Sequence, residues 1–431
     1  MTINFQNPIL DGDIRKARPL QNCVALGDSR VYQIHTDANF RYVSAANPFG
    51  WGNALSGHRL TLIANLGVAN DRTDQIMARL PQVLEANAGT LYLLGGINDI
   101  STGYPSTTTS GATAFDNLRT IVETVLSAGY RRVIWALDTG STTLGSAAIG
   151  QLVELNNKIR EYAEVTEGVV LFDMWPAIAL AGNNRTAIAY IADSMRDGTH
   201  FGNLAGFLGG KVLSSLLTSL YPPRALLVDN VIESPGSAGD TNSFCNIITN
   251  PLFSTTTGGT AGTGVSGSVP GNGWDVSRLT GTPTCAVSTG DPSDGSPGKE
   301  LILAITSNAD GDVIHLNKTL NTTYWAIADV LTGRAEIVVD AGSVNLQGVF
   351  LDLTAVTDTS TTTSVRSLMP YTATSPIGTA ETYKATLITE KLTVPGSVKN
   401  SLAYSIRAAF GGAGSATVRI RRASVMKRFL G

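Results

Sequence analysis

Four short motifs in the first half of the chain supply what a serine needs to become a nucleophile. They are Gly27-Asp28-Ser29-Arg30, Asn65-Leu66-Gly67, Gly96-Ile97-Asn98-Asp99 and Asp197-Gly198-Thr199-His200. A hydroxyl is nearly inert at neutral pH. It attacks a carbonyl only when a base takes its proton, a third group orients that base, and donors wait for the oxyanion. Ser29, His200 and Asp197 fit the first three roles, and the Ser29 and Gly67 N–H groups with the Asn98 amide fit the last. The chemistry these residue types point to is acyl transfer through a serine.

Each piece also has a plainer reading. Asp28 and Asp99 are residue types that cap helices or turns. Gly67 suits a tight turn, Asn98 an Asx-turn, and His200 a surface position before a helix. Order and placement favour the chemical reading, because the motifs fall at strand ends and just before the last helix of one domain. A second Asp-x-x-His, Asp312-Val313-Ile314-His315, lies in a strand-like stretch. Residues three apart on a strand point to opposite faces, so this pair reads as part of a sheet.

The elements that must position these groups are visible in residues 21–222. Short apolar runs, Cys23–Leu26, Leu60–Ala64, Leu91–Leu94, Val133–Leu137 and Val169–Phe172, each lead into Gly, Asp or Asn. Between them lie amphipathic stretches near 72–86, 112–128, 147–165 and 203–219. In the first, Ile76, Leu80, Val83 and Leu84 recur at helical spacing, with Arg72, Asp74 and Arg79 left to face water. Alternation of this kind predicts a three-layer α/β/α sandwich on a five-stranded parallel sheet. In such sheets ligands bind beyond the carboxyl ends of the strands, where Ser29, Gly67 and Asn98 follow the first three.

After Tyr221-Pro222-Pro223 the texture changes. Residues 252–277 hold no Lys, Arg or Glu and are dense in Gly, Ser and Thr. The runs 301–305, 335–339, 349–353 and 416–420 then alternate between turns, which predicts an antiparallel β-sandwich of jelly-roll type. The expected division is an N-terminal extension over 1–20, a catalytic domain over 21–222, a connector over 223–250 and the sandwich over 251–431.

Bulk properties narrow the class. A chain of 431 residues is long enough for two domains, with three as an alternative, each with a full core. Its net charge of −3 gives no basic field for nucleic acid. No run approaches the roughly 18 apolar residues of a membrane helix, so membrane insertion is not expected. No signal peptide is apparent at the start. Charged residues make up 15% of the chain, against about a quarter in an average soluble protein. That balance suits extracellular β-proteins and assembled fibres. Three cysteines make no disulfide scaffold: Cys23 reads as core, and Cys245 and Cys285 are a possible pair. No metal site or cofactor is expected, because the four histidines are scattered.

In order and spacing the four motifs resemble the blocks of the SGNH (GDSL-type) hydrolase family, over about residues 21–220. The resemblance implies the flavodoxin-like SGNH fold and a serine esterase. It makes Ser29 the nucleophile, His200 the general base and Asp197 the orienting carboxylate, with Ser29, Gly67 and Asn98 as oxyanion donors. One departure is Arg30, where many members carry leucine; it is a candidate contact for an anionic or sugar substrate. Trp51 and His58, in a segment rich in Asn, Gly, Tyr and Trp, are further candidates. The C-terminal region resembles jelly-roll carbohydrate-binding modules and phage tail protein domains, and Trp274, Tyr324, Trp325 and Tyr371 are candidates for a sugar platform or for core.

Together these readings favour an O-deacetylase acting on an acetylated polysaccharide, extracellular or on a virion surface. Alternatives are a broad short-chain carboxylesterase or lipase-like enzyme, a cytoplasmic location, and a glycan-binding tail fibre with a relict hydrolase domain. The expected partners are a polysaccharide or small ester, with further copies of the chain as an additional candidate, three in the tail-fibre case.

Overall fold

The computed structural model describes residues 18–101, 110–184, 186–229, 246–371, 376–377, 379–396 and 398–428. Most of the expected N-terminal extension and connector lies outside them. So does Cys245, and with it the suggested pairing to Cys285.

The N-terminal sheet is built from β1 (Asn22–Gly27), β3 (Thr61–Gly67), β4 (Thr90–Leu94), β5 (Arg132–Ala136) and β6 (Val169–Phe172); β2 (Tyr42–Ser44) lies apart from it. All its pairings are parallel, in the order β3-β1-β4-β5-β6. Counting only the strands of this sheet, the order is 2-1-3-4-5, the doubly wound flavodoxin-like arrangement expected. Val24, Ala25, Leu26, Leu91, Leu93, Val133 and Ile134 are all fully buried. Helices on both faces account for that, and for the continuously apolar runs.

The helices in chain order are α1 (Ser29–Tyr32), α2 (Pro48–Leu55), α3 (Thr73–Ala78), α4 (Leu80–Glu85), α5 (Ile97–Ile100), α6 (Gly111–Ser127), α7 (Ser146–Val165), α8 (Trp175–Ile178) and α9 (Asn203–Leu220). Helix α6 is capped by Ser110, whose side chain accepts from Thr113 N–H, and it buries Ala114, Leu118, Ile121, Val122 and Val125 along one stripe. The single helix expected near 72–86 is two. Pro81 sits in the first turn of α4, where its missing N–H is harmless; inside a continuous helix it would leave a carbonyl one turn earlier unpaired. Arg79, expected to face water, stands at this break and turns inward. It donates to the carbonyls of Leu66 (3.1 Å) and Gly27 (2.7 Å) and pairs with Asp71.

The C-terminal region is strand-rich, as expected, and is organised by one strand of 31 residues, Val398–Arg428. Its first part pairs antiparallel with Asp310–Thr319 and Val344–Thr357. Its second part pairs with Glu300–Ser307 and Val330–Val339. Glycines at 411, 412 and 414 lie where the partners change. The four expected runs all fall within these strands. Trp274 is fully buried against Phe253 and Tyr404 and belongs to the core, and Tyr324 and Trp325 pack partly buried against it.

The two regions share a seam that the alternation of apolar runs did not announce. Strand β2 pairs with Thr362–Met369 of the C-terminal region, and Arg366 N–H donates to Arg41 O across it at 2.9 Å. Trp51 on α2 is fully buried between Phe207 of α9 and Tyr383, with ring centroids 5.1 and 5.6 Å away. Its indole N–H donates to Ala45 O at 2.8 Å. Trp51, Ala45 and Ala54 thus lie in the hydrophobic core of the C-terminal region. Truncating such a ring costs about 3–5 kcal/mol, so Trp51→Ala should lower the urea midpoint by that equivalent. A change no larger than the roughly 0.5 kcal/mol typical of a surface substitution would show that the seam carries little.

Candidate active site

Ser29 opens α1 directly after β1, so its N–H lies in the first turn, where no intrahelical acceptor exists. Asp28 caps this helix: its Oδ1 accepts from Arg30 N–H at 2.9 Å. The second motif ends β3 beside it. A side chain on Gly67 would run into the backbone of Tyr32 and Val31, so glycine is what lets α1 sit against β3. Asn98 lies half-buried in α5, beyond β4, and one of its amide N–H groups donates to Asp71 O at 2.9 Å. The other is left over, since an amide nitrogen carries two donors. Gly67 N–H donates to Asn65 Oδ1 at 3.0 Å, so at rest this donor is engaged within its own turn.

The fourth motif reaches Ser29 from the loop before α9. His200 Nε2 lies 2.9 Å from Ser29 Oγ, and His200 Nδ1 lies 2.7 Å from Asp197 Oδ2. The other oxygen of Asp197 accepts from the backbone N–H groups of Thr199 (3.0 Å) and His200 (2.8 Å). Partial burial pushes the Asp197 carboxyl up, but these hydrogen bonds from His200 and Thr199 outweigh it and hold the group below the usual carboxylate range. An ionised Asp197 can only accept, so Nδ1 carries the proton and Nε2 is free to accept from the serine hydroxyl.

Several contacts hold this loop in place. Gly198 has φ +78°, and a side chain there would strike Thr142. Thr142 N–H donates to Gly198 O at 3.0 Å, and the Thr199 and Ser141 hydroxyls lie 2.6 Å apart. Arg30 supplies the deepest anchor. Its guanidinium is buried, pairs with Asp138 at 2.7 Å, and donates to the carbonyls of Thr199 (3.2 Å) and Gly140.

Arg30 is therefore not a substrate contact. Only 1% of it is exposed, and its charge is spent on joining the serine turn to the histidine loop. Trp51 is withdrawn from any substrate by the seam described above. The His58 ring is also turned inward: Nδ1 lies 3.3 Å from the Asn53 amide and Nε2 is buried. Burial, reinforced by the Arg224 charge, pushes its imidazole down to about 3, so it stays neutral. Asp99 is a structural group, holding the start of α3 through Thr73 N–H (2.9 Å) and Thr73 Oγ1 (2.7 Å). In the second Asp-x-x-His, Asp312 accepts from Thr282 and Asn308 N–H, whereas His315 faces Ser277 at 2.8 Å. The two do not pair. Sequence reasoning passed over Asp138, Arg196 and Asn203. Asp138 carried one signal, a polar residue at the carboxyl end of an apolar run.

Residues 25–203 match the model of the GDSL-like lipase/acylhydrolase family. No curated protein matches the chain. Similar solved structures include an acetyl xylan esterase, with 16% identity and a TM-score of 0.36, covering 45% of this chain and 98% of that one. A family 3 carbohydrate esterase from Talaromyces cellulolyticus has 14% identity and a TM-score of 0.35, covering 47% and 98%. A structure of carbohydrate-binding modules of the β-sandwich superfamily has 15% identity and a TM-score of 0.26, covering 36% and 57%. The chain thus spans little more than half of that last protein. Among the described residues no helix is long and apolar enough to cross a membrane.

Asp28 makes the site's stability depend on pH. Burial pushes its carboxyl up to about 7, against the pull of Arg30 and with the Asp138 charge adding to the rise. A raised carboxyl binds its proton more tightly in the folded state. Its stabilising contribution is therefore complete below the unfolded value of 3.8 and is lost as pH rises to about 7. Asp28→Asn should flatten this part of the stability profile in denaturant titrations between those limits. An unchanged slope would refute the buried, protonated carboxyl.

Proposed function

We propose that the protein is a serine esterase that removes O-acetyl groups from an acetylated polysaccharide, with Ser29, His200 and Asp197 as its triad. The observation that carries the chemistry is the continuous relay from the Asp197 carboxylate through the His200 ring to Ser29 Oγ, at 2.7 and 2.9 Å. His200 Nε2 takes the hydroxyl proton as Ser29 attacks the ester carbonyl, and the imidazolium formed is stabilised by Asp197. The oxyanion is met by Ser29 N–H and the remaining Asn98 N–H, with Gly67 N–H shared between it and Asn65. Collapse of the intermediate passes the proton from His200 to the departing sugar hydroxyl. Water then attacks the acetyl-Ser29, with His200 again as base, and acetate leaves.

The polysaccharide half of the reading rests on exposure around the triad. Side-chain exposure is 25% for His200 and 52% for Asp197. An approach this open suits an ester carried on a bulky, hydrated polymer. A long acyl chain gains its affinity by burying apolar surface, at roughly 25 cal/mol per Å², which an open polar rim does not offer.

Acetate release from acetylated polysaccharides, set beside hydrolysis of acetyl, butyryl and octanoyl 4-nitrophenyl esters, tests the reading. Release from a glycan and preference for the acetyl ester are expected. Preference for octanoyl with no glycan turnover would favour the lipase-like alternative. Ser29→Ala should abolish both turnover and labelling by a fluorophosphonate, while the protein stays folded. Asn98→Ala should lose about 10²–10³ in kcat, the usual effect of removing one oxyanion donor. An Asn98→Ala kcat within twofold of wild type would remove the amide from the mechanism.

A further inference from the structure

Arg196 stands directly before Asp197 and belongs to the same loop, its N–H donating to His200 O at 2.9 Å. Its guanidinium is unusual in this molecule. Among the described residues, every other arginine with a described side chain donates to or pairs with a carboxylate, a carbonyl or a hydroxyl. The Arg196 side chain has no such partner among them, and its Nε is buried without an acceptor. Instead its Cζ lies 4.4 Å from the ring centroid of Tyr371, which the C-terminal region supplies.

Tyr371 is held firmly enough to act as a platform. Its N–H donates to Asn203 Oδ1 at 2.9 Å, and its carbonyl accepts from Asn203 Nδ2 at 3.0 Å. Asn203 opens α9, three residues beyond His200, so Tyr371 touches the histidine loop at both ends. The backbone is clamped, yet Tyr371 is 37% exposed. A charged fork lacking its acceptor and an exposed aromatic residue therefore meet beside the triad, from two different domains.

We propose that Arg196 and Tyr371 form a subsite for a carboxylate-bearing sugar, a uronate-type residue next to the acetylated one. With Nε buried, the two terminal nitrogens of the guanidinium are the ones that can meet a carboxylate, in two parallel hydrogen bonds. The tyrosine supplies an apolar ring face with a polar edge for the sugar itself. The polysaccharide is then an acidic one, and the C-terminal region helps select it by placing one residue at the rim. This subsite rests on the deacetylase reading for its purpose but not for its test.

The test uses the full-length chain in two arms. In the first, binding of an oligogalacturonate and of a neutral mannan oligosaccharide to the Ser29→Ala protein is measured by calorimetry. The acidic ligand should bind more tightly, and the preference should weaken with salt. Adding R196Q should weaken acidic binding by about 10–100-fold, the loss of charge-assisted hydrogen bonds worth roughly 1.5–3 kcal/mol. Y371A should weaken both ligands. In the second arm, acetate release from acetylated pectin, acetylated glucomannan and 4-nitrophenyl acetate is compared. R196Q should raise KM for pectin at least tenfold more than for the other two.

Equal binding of acidic and neutral ligands, or no binding of either, overturns the subsite whatever the activity. An equal fall in kcat on all three esters also overturns it, and leaves Arg196 as a support for the loop. Acidic binding without acetate release from any glycan overturns the deacetylase reading while the subsite stands.

Discussion

The buried pair between Arg30 and Asp138 is the constraint on which the arrangement of the site depends. The residue after the proposed nucleophile reaches back under the loop that carries the proposed base, and fastens its Thr199 carbonyl. Such a pair adds little net stability. Stripping two charges of water costs several kcal/mol per ion, which attraction and good hydrogen bonds offset only in part. What it supplies is registry. Ser29 and His200 lie far apart in the chain, and a relay needs their 2.9 Å separation held to within a few tenths of an ångström. A guanidinium donating to Asp138, Gly140 and Thr199 ties its own turn to two loops at the carboxyl edge of the sheet, the one after β5 and the one before α9. A neighbouring carboxyl bears the consequence: burial, with the Asp138 charge adding to it and Arg30 opposing, pushes Asp28 up to about 7.

The N-terminal and C-terminal regions are joined by packing as well as by chain. Trp51 lies between Phe207 and Tyr383, and β2 adds a strand to the edge of the other region. Helix α9 lies on this seam and begins three residues after His200. Movement of the C-terminal region relative to α9 would therefore be felt at the base. The contacts of Tyr371 with Asn203 and Arg196 tie the same region to the loop itself. A segment that reads as a surface loop rich in aromatic and amide residues is thus an internal joint.

Much of the fold was legible because its physics is local. Strands buried on both faces must be continuously apolar, and their crossover helices must be amphipathic, so the five runs of the first domain stand out. The break at Pro81 was equally visible in principle, since a residue without an N–H interrupts any helix that includes it. The motifs around Ser29, Asn98 and His200 were legible for a different reason: a parallel sheet delivers every strand's carboxyl end to one edge. Less visible was the orientation of single side chains. Arg79 looks solvent-facing by helical periodicity, yet it turns inward at the break to reach two strand-end carbonyls.

Read alone, the chain determined that a serine, an amide, a carboxylate and an imidazole sit at the ends of elements able to bring them together. It also determined that a strand-rich region follows. Only the tertiary structure decided what Arg30, Trp51 and His58 do, because each is polar or aromatic enough to serve a substrate and each is instead buried by a partner remote in sequence. The same holds for Arg196 and Tyr371, which meet only because the second region docks against α9. Periodicity and spacing report how a segment behaves against water. Which segment covers which is settled by packing between distant parts of the chain, and no local pattern encodes it.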